Sequence, residues 1–301
     1  MNYAPVALFV YSRLSHTRQT LLALARCELA LETDLLIFSD GPKKIGDISA
    51  VEEVRQFIRS VTDFKSIRII ERNKNLGLAN SIIEGVTQVC NEFGRVIVME
   101  DDLVVSQYFL QYMNDALNIF ADEESVASIH GYWYPVDQEM PETFFLRGAS
   151  CWGWATWSRA WQIFESDGRK LLKNLQQQKL TRSFDLDGAM AYTKMLKDQI
   201  AGKNNSWAIR WHAATYLENR LQLSPGKSLV RNIGFDGTGV HRVESEAYTV
   251  ELAADPIVVK RLPPIENDAA RAALIGYYRN TRRSLVRRVI GRLRRIVIRR
   301  E

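Results

Sequence analysis

The sequence predicts an α/β fold: a mostly parallel sheet with helices on both faces. Three observations point there. Apolar runs of strand length alternate with segments of helix length through the first hundred residues. Turn and stop signals separate them, as at Gly41-Pro42 and Gly94. Each apolar run also ends in polar residues, as expected of strands whose carboxyl ends share one ligand-binding rim.

The elements follow in order. PVALFVYSR (5–13) is a strand, and HTRQTLLALARCELA (16–30) places leucines near helical spacing. DLLIFSDGPK (34–43) is the second strand and VEEVRQFIRSV (51–61) the second helix. SIRIIERN (66–73) is the third strand, and LANSIIEGVTQVCNEFG (78–94) a helix stopped by Gly94. RVIVMEDD (95–102) is the fourth strand. Tyr11, Ser12, Arg13, Ser39, Asp40, Gly41, Arg72, Asn73, Glu100, Asp101 and Asp102 fall at the four strand ends. Further on, five of seven tryptophans crowd into 29 residues around GYWYP (131–135) and ASCWGWATWSRAW (149–161). DPIVVKRLPPIEND (255–268) reads as a strand followed by a linker, because Pro263 and Pro264 forbid a continuous helix.

Composition bounds the class. With 46% hydrophobic and 25% charged residues in 301, the chain suits a globular protein with a sizeable core, not a disordered or fibrous one. Cys27, Cys90 and Cys151 are too few and too scattered for a disulfide framework or zinc cluster, so reduced thiols and a cytoplasmic setting are expected. The opening MNYAPVALFVYSR has no basic leader, so no secretory signal is expected, and no window is long and apolar enough to span a bilayer. The net charge of +5 is uneven. Residues 279–301 hold ten arginines and one glutamate and carry +9, leaving −4 on the other 278.

Five motifs carry candidate chemistry. Glu100, Asp101 and Asp102 close a buried strand, and adjacent carboxylates repel unless a cation or donors stand among them. Oxygen ligands suit Mg2+ or Mn2+ bridging a carboxylate to a phosphate, while an acidic loop paired with arginine is the other reading. SDGPK (39–43) offers an Asp and a close-approach glycine, or a plain turn. In ERNKNLGLANSI (71–82), Arg72 and Lys74 could neutralise phosphates and Asn75 could reach a base or sugar, or the segment is a solvated helix-entry loop. In CWGWATW (151–157), indoles could stack on sugars or fill core. Trp152 and Trp154 share strand parity and would face one way. NIGFDGTGVH (232–241) is glycine-rich around Asp236, and its His241 could complete a metal site or be structural.

In this order, VALFVYSR, LLIFSDGPK, RNKNLGLANSI, VIVMEDDL, SCWGWATW, NSWAIRW and NIGFDGTGVH resemble bacterial GT-A glycosyltransferases of the family 2-like superfamily. The likeness is to the branch similar to mannoside N-acetylglucosaminyltransferases, with EDD in place of DxD, over roughly residues 4–245. The resemblance implies a GT-A, Rossmann-like fold and a nucleotide-sugar donor, UDP-linked. Tyr11, Arg13, Asp40, Arg72, Asn75, Glu100 and Asp101 would line the nucleotide-sugar site, with Arg13 and Asp40 at the uracil and Asp101 toward the ribose. Asp102 would ligate Mn2+ or Mg2+, with His241 as second ligand. Trp152, Trp154, Trp207 and Arg210 would border the donor sugar and acceptor. One departure concerns the base. The resemblance implies an acid just before Ser206-Trp207, where this chain has Asn205, and an amide is no general base. Asp198 and Glu218 are the alternative carboxylates.

The expected organisation is a GT-A domain over 1–254, a linker and the start of a helical region over 255–278, and an Arg-rich amphipathic helix over 279–301. That tail reads as lying on an anionic membrane surface rather than binding nucleic acid. Everything past Pro264 is expected to be dispensable for folding. The expected function is metal-dependent sugar transfer to a carbohydrate or lipid-linked glycan acceptor in surface polysaccharide assembly, peripheral on the inner membrane face. A nucleotidyltransferase on the same metal site and a weakened nucleotide-sugar binder are the alternatives.

Overall fold

The computed structural model describes residues 3–237 and 246–281. The elements in chain order are β1 (Val6–Val10), α1 (Leu14–Ala25), β2 (Asp34–Ser39), α2 (Ile48–Arg59), β3 (Ser66–Glu71), α3 (Leu78–Phe93), β4 (Arg95–Glu100) and β5 (Leu103–Val105). There follow α4 (Phe109–Ile119), β6 (Val126–His130), β7 (Thr143–Arg147), β8 (Trp154–Trp157), α5 (Ser158–Trp161), α6 (Gly168–Gln177) and α7 (Thr181–Phe184). The last are α8 (Tyr192–Ile200), α9 (Trp207–Leu217), β9 (Leu221–Pro225) and β10 (Val230–Asn232). A further helix starts at 268 and runs to the last described residue, 281.

Among the described residues, one eight-stranded sheet has the order β3-β2-β1-β4-β8-β6-β9-β7. The first four strands are mutually parallel. β8 runs antiparallel to both neighbours, β9 runs parallel to β6, and β7 antiparallel to β9. Six of the eight strands therefore point one way, and the fold is the mostly parallel α/β sheet that the alternation predicts. The chain winds outward from β1 to β3 and returns to place β4 on the other side of β1. Because crossovers are right-handed, this reversal puts a switch point between the carboxyl ends of β1 and β4.

Burial explains the strands. All five residues of β1 and the central four of β4 are buried, because helices cover both faces. Gly85 on α3 lets that helix close on the stacked rings of Phe9 and Phe38, since a Cβ there would lie 2.7 Å from Phe9 Cε1. Gly94 takes φ +76° and ends α3, its N–H donating to Cys90 O at 2.9 Å.

The 255–268 stretch is not a strand. Only an isolated bridge joins Glu266 to Phe145 on the edge strand β7. Two prolines and pairing from side chains as well as backbone leave no regular ladder. Val258 N–H donates to Glu142 Oε1 at 2.7 Å, Asn267 N–H to Phe145 O at 2.8 Å, and Arg147 N–H to Glu266 Oε1 at 3.0 Å. Ile257 and Val259 are buried in the main core. The following helix is capped by Asn267, whose Oδ1 accepts from Ala270 N–H at 2.9 Å. It buries Ala270, Leu274, Ile275 and Tyr278 against Trp133, Phe144 and Leu146. Residues past Pro264 thus close one edge of the core. The Arg-rich segment from 282 onward lies outside the described residues.

Candidate functional site

At the switch point, Arg13 follows β1 and the Asp101–Asp102 turn follows β4. The Arg13 guanidinium bridges the two carboxylates. Its Nη2 donates to Asp101 Oδ1 and, at 2.8 Å, to Asp102 Oδ2. Thr20 Oγ1 donates to Asp101 O at 2.8 Å and holds the turn against α1. The cation that adjacent carboxylates demand is therefore an arginine in this structure.

Crowding shows in the acid strengths. Burial, then the charges of Asp102 and Asp101, push Glu100 up to about 8. Burial pushes Asp101 up to about 6 even though Arg13 pulls it down. Burial opposes the charge on Arg13, but Asp101 and Asp102 outweigh it and hold the guanidinium above its ordinary value. Cys151 lies near the cluster. Burial, then Glu100 and Asp102, raise its thiol, so it is an inert neighbour rather than a nucleophile.

The loop after β10 completes the cluster. Ile233 N–H donates to Asp102 O at 2.9 Å, and a Cβ on Gly234 would collide with Asp102 Oδ2, so only glycine lets this loop pack so closely on that carboxylate. Asp236 on this loop meets His16 Nε2 at 3.1 Å. Neither was a candidate in the sequence. His16 lies in the first turn of α1, three residues after Arg13, which immediately precedes that helix. Asp236 stands among the glycines that drew attention to His241. His241 itself lies outside the described residues.

The donor set suits a hard divalent ion that completes its shell with phosphate oxygens and water. Asp102 and Asp101 beside it carry carboxylate oxygens of that kind, one on each already engaged by Arg13. Among the described residues, no group of three or more His, Cys, Asp and Glu side chains could hold an ion unaided.

The neighbouring strand ends are knitted together. Asp40 is buried, and its carboxylate accepts from the N–H groups of Gly41 (3.0 Å), Leu76 (2.9 Å) and Gly77 (2.9 Å). Asn75 Nδ2 donates to Gly41 O at 2.7 Å. Both side chains tie the β2 loop to the loop before α3. Arg72 donates to Ser81 Oγ at 2.6 Å and lies 3.5 Å from Glu84. Tyr11 OH donates to Asp47 Oδ2 at 2.8 Å and accepts from Lys43 N–H at 3.0 Å. These four residues gather at the rim, but their described partners are protein groups.

The remaining candidates divide. Trp152 is half-buried at the rim, ringed by Tyr132 (4.8 Å), Tyr248 (5.4 Å) and Phe235 (5.5 Å). Trp154 shares its parity but not its surroundings. It is fully buried, stacked 5.3 Å from Trp207 and 6.0 Å from Trp211. Trp154 and Trp207 therefore fill the space between the sheet and α9, a layer beneath the rim, because indoles this large reward burial. Arg210 is also buried, donating to Ser206 O, Ser166 O and Asn205 Oδ1. Asn205 is thus a brace for Arg210, beside the Ser206 cap of α9. Asp198 is held by Lys194 and Lys203, and the hydrogen bond from Lys194 pulls its carboxyl below the ordinary carboxylate pKa. Glu218 is exposed at the carboxyl end of α9, just before β9 begins. β9 is parallel to the site-bearing strands, so Glu218 lies at the opposite rim from Asp102.

No protein-family model matches the sequence, and no curated protein matches it. Among solved structures, the chain is similar to a mannosyltransferase, PcManGT from Pyrobaculum calidifontis, in complex with GDP-Man and Mn2+, at 13% identity and TM-score 0.32. That match covers 42% of this chain and 35% of the other. It is also similar to S. aureus TarS, at 14% identity and TM-score 0.34, covering 49% and 24% of the two chains. With TarS 1-349 the values are 12% identity, TM-score 0.42, and 76% and 59% coverage. The chain thus spans less than two thirds of each of these structures.

Proposed function

We propose that the chain is a metal-dependent glycosyltransferase. It moves a sugar from a nucleotide diphosphate sugar, UDP-linked, to a carbohydrate or lipid-linked glycan acceptor at the inner membrane face. The observation that carries this reading is the cluster at the switch point between β1 and β4: Arg13 astride Asp101 and Asp102, with the glycine loop at Gly234 packed against Asp102. Asp102 would hold Mn2+ or Mg2+ against the diphosphate, and that ion supplies neutralisation of the departing phosphate charge. Arg13 orients the two carboxylates and offers a forked donor to phosphate oxygens. The loops fixed by Asp40 and Asn75 wall the nucleotide end, and Trp152 walls the sugar end.

Calorimetry with UDP and Mn2+ tests the reading. Asp102→Asn should abolish metal-dependent UDP binding while the fold persists, because it removes a charge at a rim rather than a core group. Unchanged affinity and unchanged metal dependence would refute it. Release of free UDP identifies sugar transfer, whereas pyrophosphate identifies nucleotidyl transfer. The bracing of Asn205 by Arg210, with Asp198 locked between two lysines and Glu218 at the far rim, favours a second reading: a nucleotide-sugar binder with weakened turnover. Binding of UDP with Mn2+ and no turnover of any sugar donor would select it.

A further inference from the structure

Arg13 holds the acids at the switch point with only part of its guanidinium. One nitrogen, Nη2, donates to both, to Asp101 Oδ1 and, at 2.8 Å, to Asp102 Oδ2. Nε and Nη1 make no hydrogen bond among the described residues, so three of the five guanidinium donors stay available. The Arg13 side chain is also the most exposed of the three, at 24% against 7% for Asp101 and 16% for Asp102. Its backbone is pinned at the start of α1, where Arg13 O accepts from Thr17 N–H and Thr17 Oγ1, each at 2.9 Å. A long side chain on a fixed backbone can change partners without moving the helix.

This arrangement sets up a competition. Asp102 Oδ2 is engaged by Arg13 on one side and crowded by the Gly234 loop on another, where even a Cβ would collide with it. A divalent ion on Asp102 shares that carboxylate with a guanidinium of like charge, and like charges in a partly buried site repel. Among the described residues, no group of three or more His, Cys, Asp and Glu side chains offsets this by holding the ion unaided. A diphosphate changes the balance. Its oxygens attract the available guanidinium donors and complete the shell of the ion at the same time.

We propose that Arg13 makes the site selective for a divalent ion paired with a nucleoside diphosphate over the bare ion. Its guanidinium competes with the ion for Asp102, and the diphosphate ends the competition by drawing the guanidinium onto phosphate oxygens. Metal and nucleotide therefore bind with positive coupling, each raising the affinity of the other by the same factor. The inference rests on the metal and nucleotide proposed above for this cluster and adds how the two depend on each other. If Arg13 served only to orient the carboxylates, its removal would loosen the bare ion. Competition gives the opposite sign.

The test uses the full chain, with Mn2+ alone and with UDP. The paramagnetic resonance signal of unbound Mn2+ gives the ion's affinity without any turnover. In the unaltered chain, saturating UDP should tighten Mn2+ on the order of tenfold or more. Arg13→Gln should tighten Mn2+ alone by about fivefold or more and shrink the UDP effect by the same factor. Arg13→Lys keeps the charge without the fork and should hold the bare ion within about twofold of the unaltered chain. Adding Asp102→Asn to Arg13→Gln should abolish the gain. Melting curves recorded in chelator show whether each variant is folded before titration. A second readout does not depend on the glutamine variant. The Arg13 Nε–H resonance of the unaltered chain, assigned by its loss in Arg13→Lys, should shift on adding UDP with Mg2+. Bare Mn2+ that binds Arg13→Gln no more tightly than the unaltered chain, a gain that survives Asp102→Asn, a lysine variant that behaves like glutamine, or an unshifted Nε–H would overturn the proposal. An unaltered chain that binds no UDP in the presence of Mn2+ overturns the glycosyltransferase reading and this proposal with it, whereas UDP binding with any of those results overturns the proposal alone.

Discussion

The sheet has two halves that are stabilised differently. In β3-β2-β1-β4 the strands are parallel, consecutive in winding and apolar, and the chemistry is confined to their carboxyl ends. In β8-β6-β9-β7 the directions mix, and polar side chains are buried on the faces of the strands themselves. Ser128, His130, Thr156, Gln222 and Ser224 are all at most 5% exposed. The first half presents charge to a ligand. The second encloses polar groups beneath a nest of indoles and is closed by a helix from the end of the described chain. Titratable groups in the two halves should therefore respond oppositely to pH.

The largest expected effect falls on the second half. A chain ending at Pro264 loses Ala270, Leu274, Ile275 and Tyr278 and uncovers Trp133, Phe144 and Leu146. Each large apolar side chain is worth about 1.5–3 kcal/mol. Denaturant titration should show a loss of several kcal/mol or an insoluble product. An unchanged midpoint would make the two halves independent.

Arg13→Ala comes next, in the first half. It leaves Asp101 and Glu100 crowded without a cation, worth roughly 2 kcal/mol after allowance for the partial exposure of Arg13. The sign with pH is fixed. Glu100 at about 8 and Asp101 at about 6 hold protons more tightly folded than unfolded. Their contribution is present at low pH and lost as pH rises through these values. The destabilisation by Arg13→Ala should therefore be small near pH 5 and grow toward pH 8.5 in chemical denaturation. A difference that shrinks over that range would contradict the cluster.

His130 gives the opposite slope. Burial lowers it to about 3, and neither ring nitrogen has a hydrogen-bond partner among the described residues. The unfolded chain gains a proton near pH 6.5 that the fold refuses, so stability falls as pH drops below that value. His130→Phe should remove this loss, raising stability relative to the parent by about 2 kcal/mol at pH 5 and little at pH 8. Equal effects at both pH values would mean the ring is charged or partnered in the fold.

The smallest effect is expected from Glu218→Gln. At the opposite rim it should leave donor turnover within about twofold, where a general base would give a loss of 10²-fold or more. A large loss would place a catalytic group on the wrong side of the sheet and break the division between the halves.

The sequence by itself determined the parallel half. Its elements are local, each apolar run and helix is readable from periodicity, and Gly94 marks its stop in the chain. The rim residues were legible for the same reason, since the ends of consecutive strands identify them without knowledge of any distant partner. Three matters were decided only by tertiary structure. Arg13 stands 88 residues from Asp101, and nothing local says that its guanidinium, rather than a metal ion, answers the carboxylates. The tryptophans read alike in sequence, yet Trp152 lies at the rim and Trp154 in the core, because the strand begins only at Trp154. The segment 255–278 reads in sequence as a linker and the start of a helical region because its partners are as remote as Glu142 and Phe145. Burial and long-range pairing are properties of the assembled sheet, and the order of residues along the chain does not carry them.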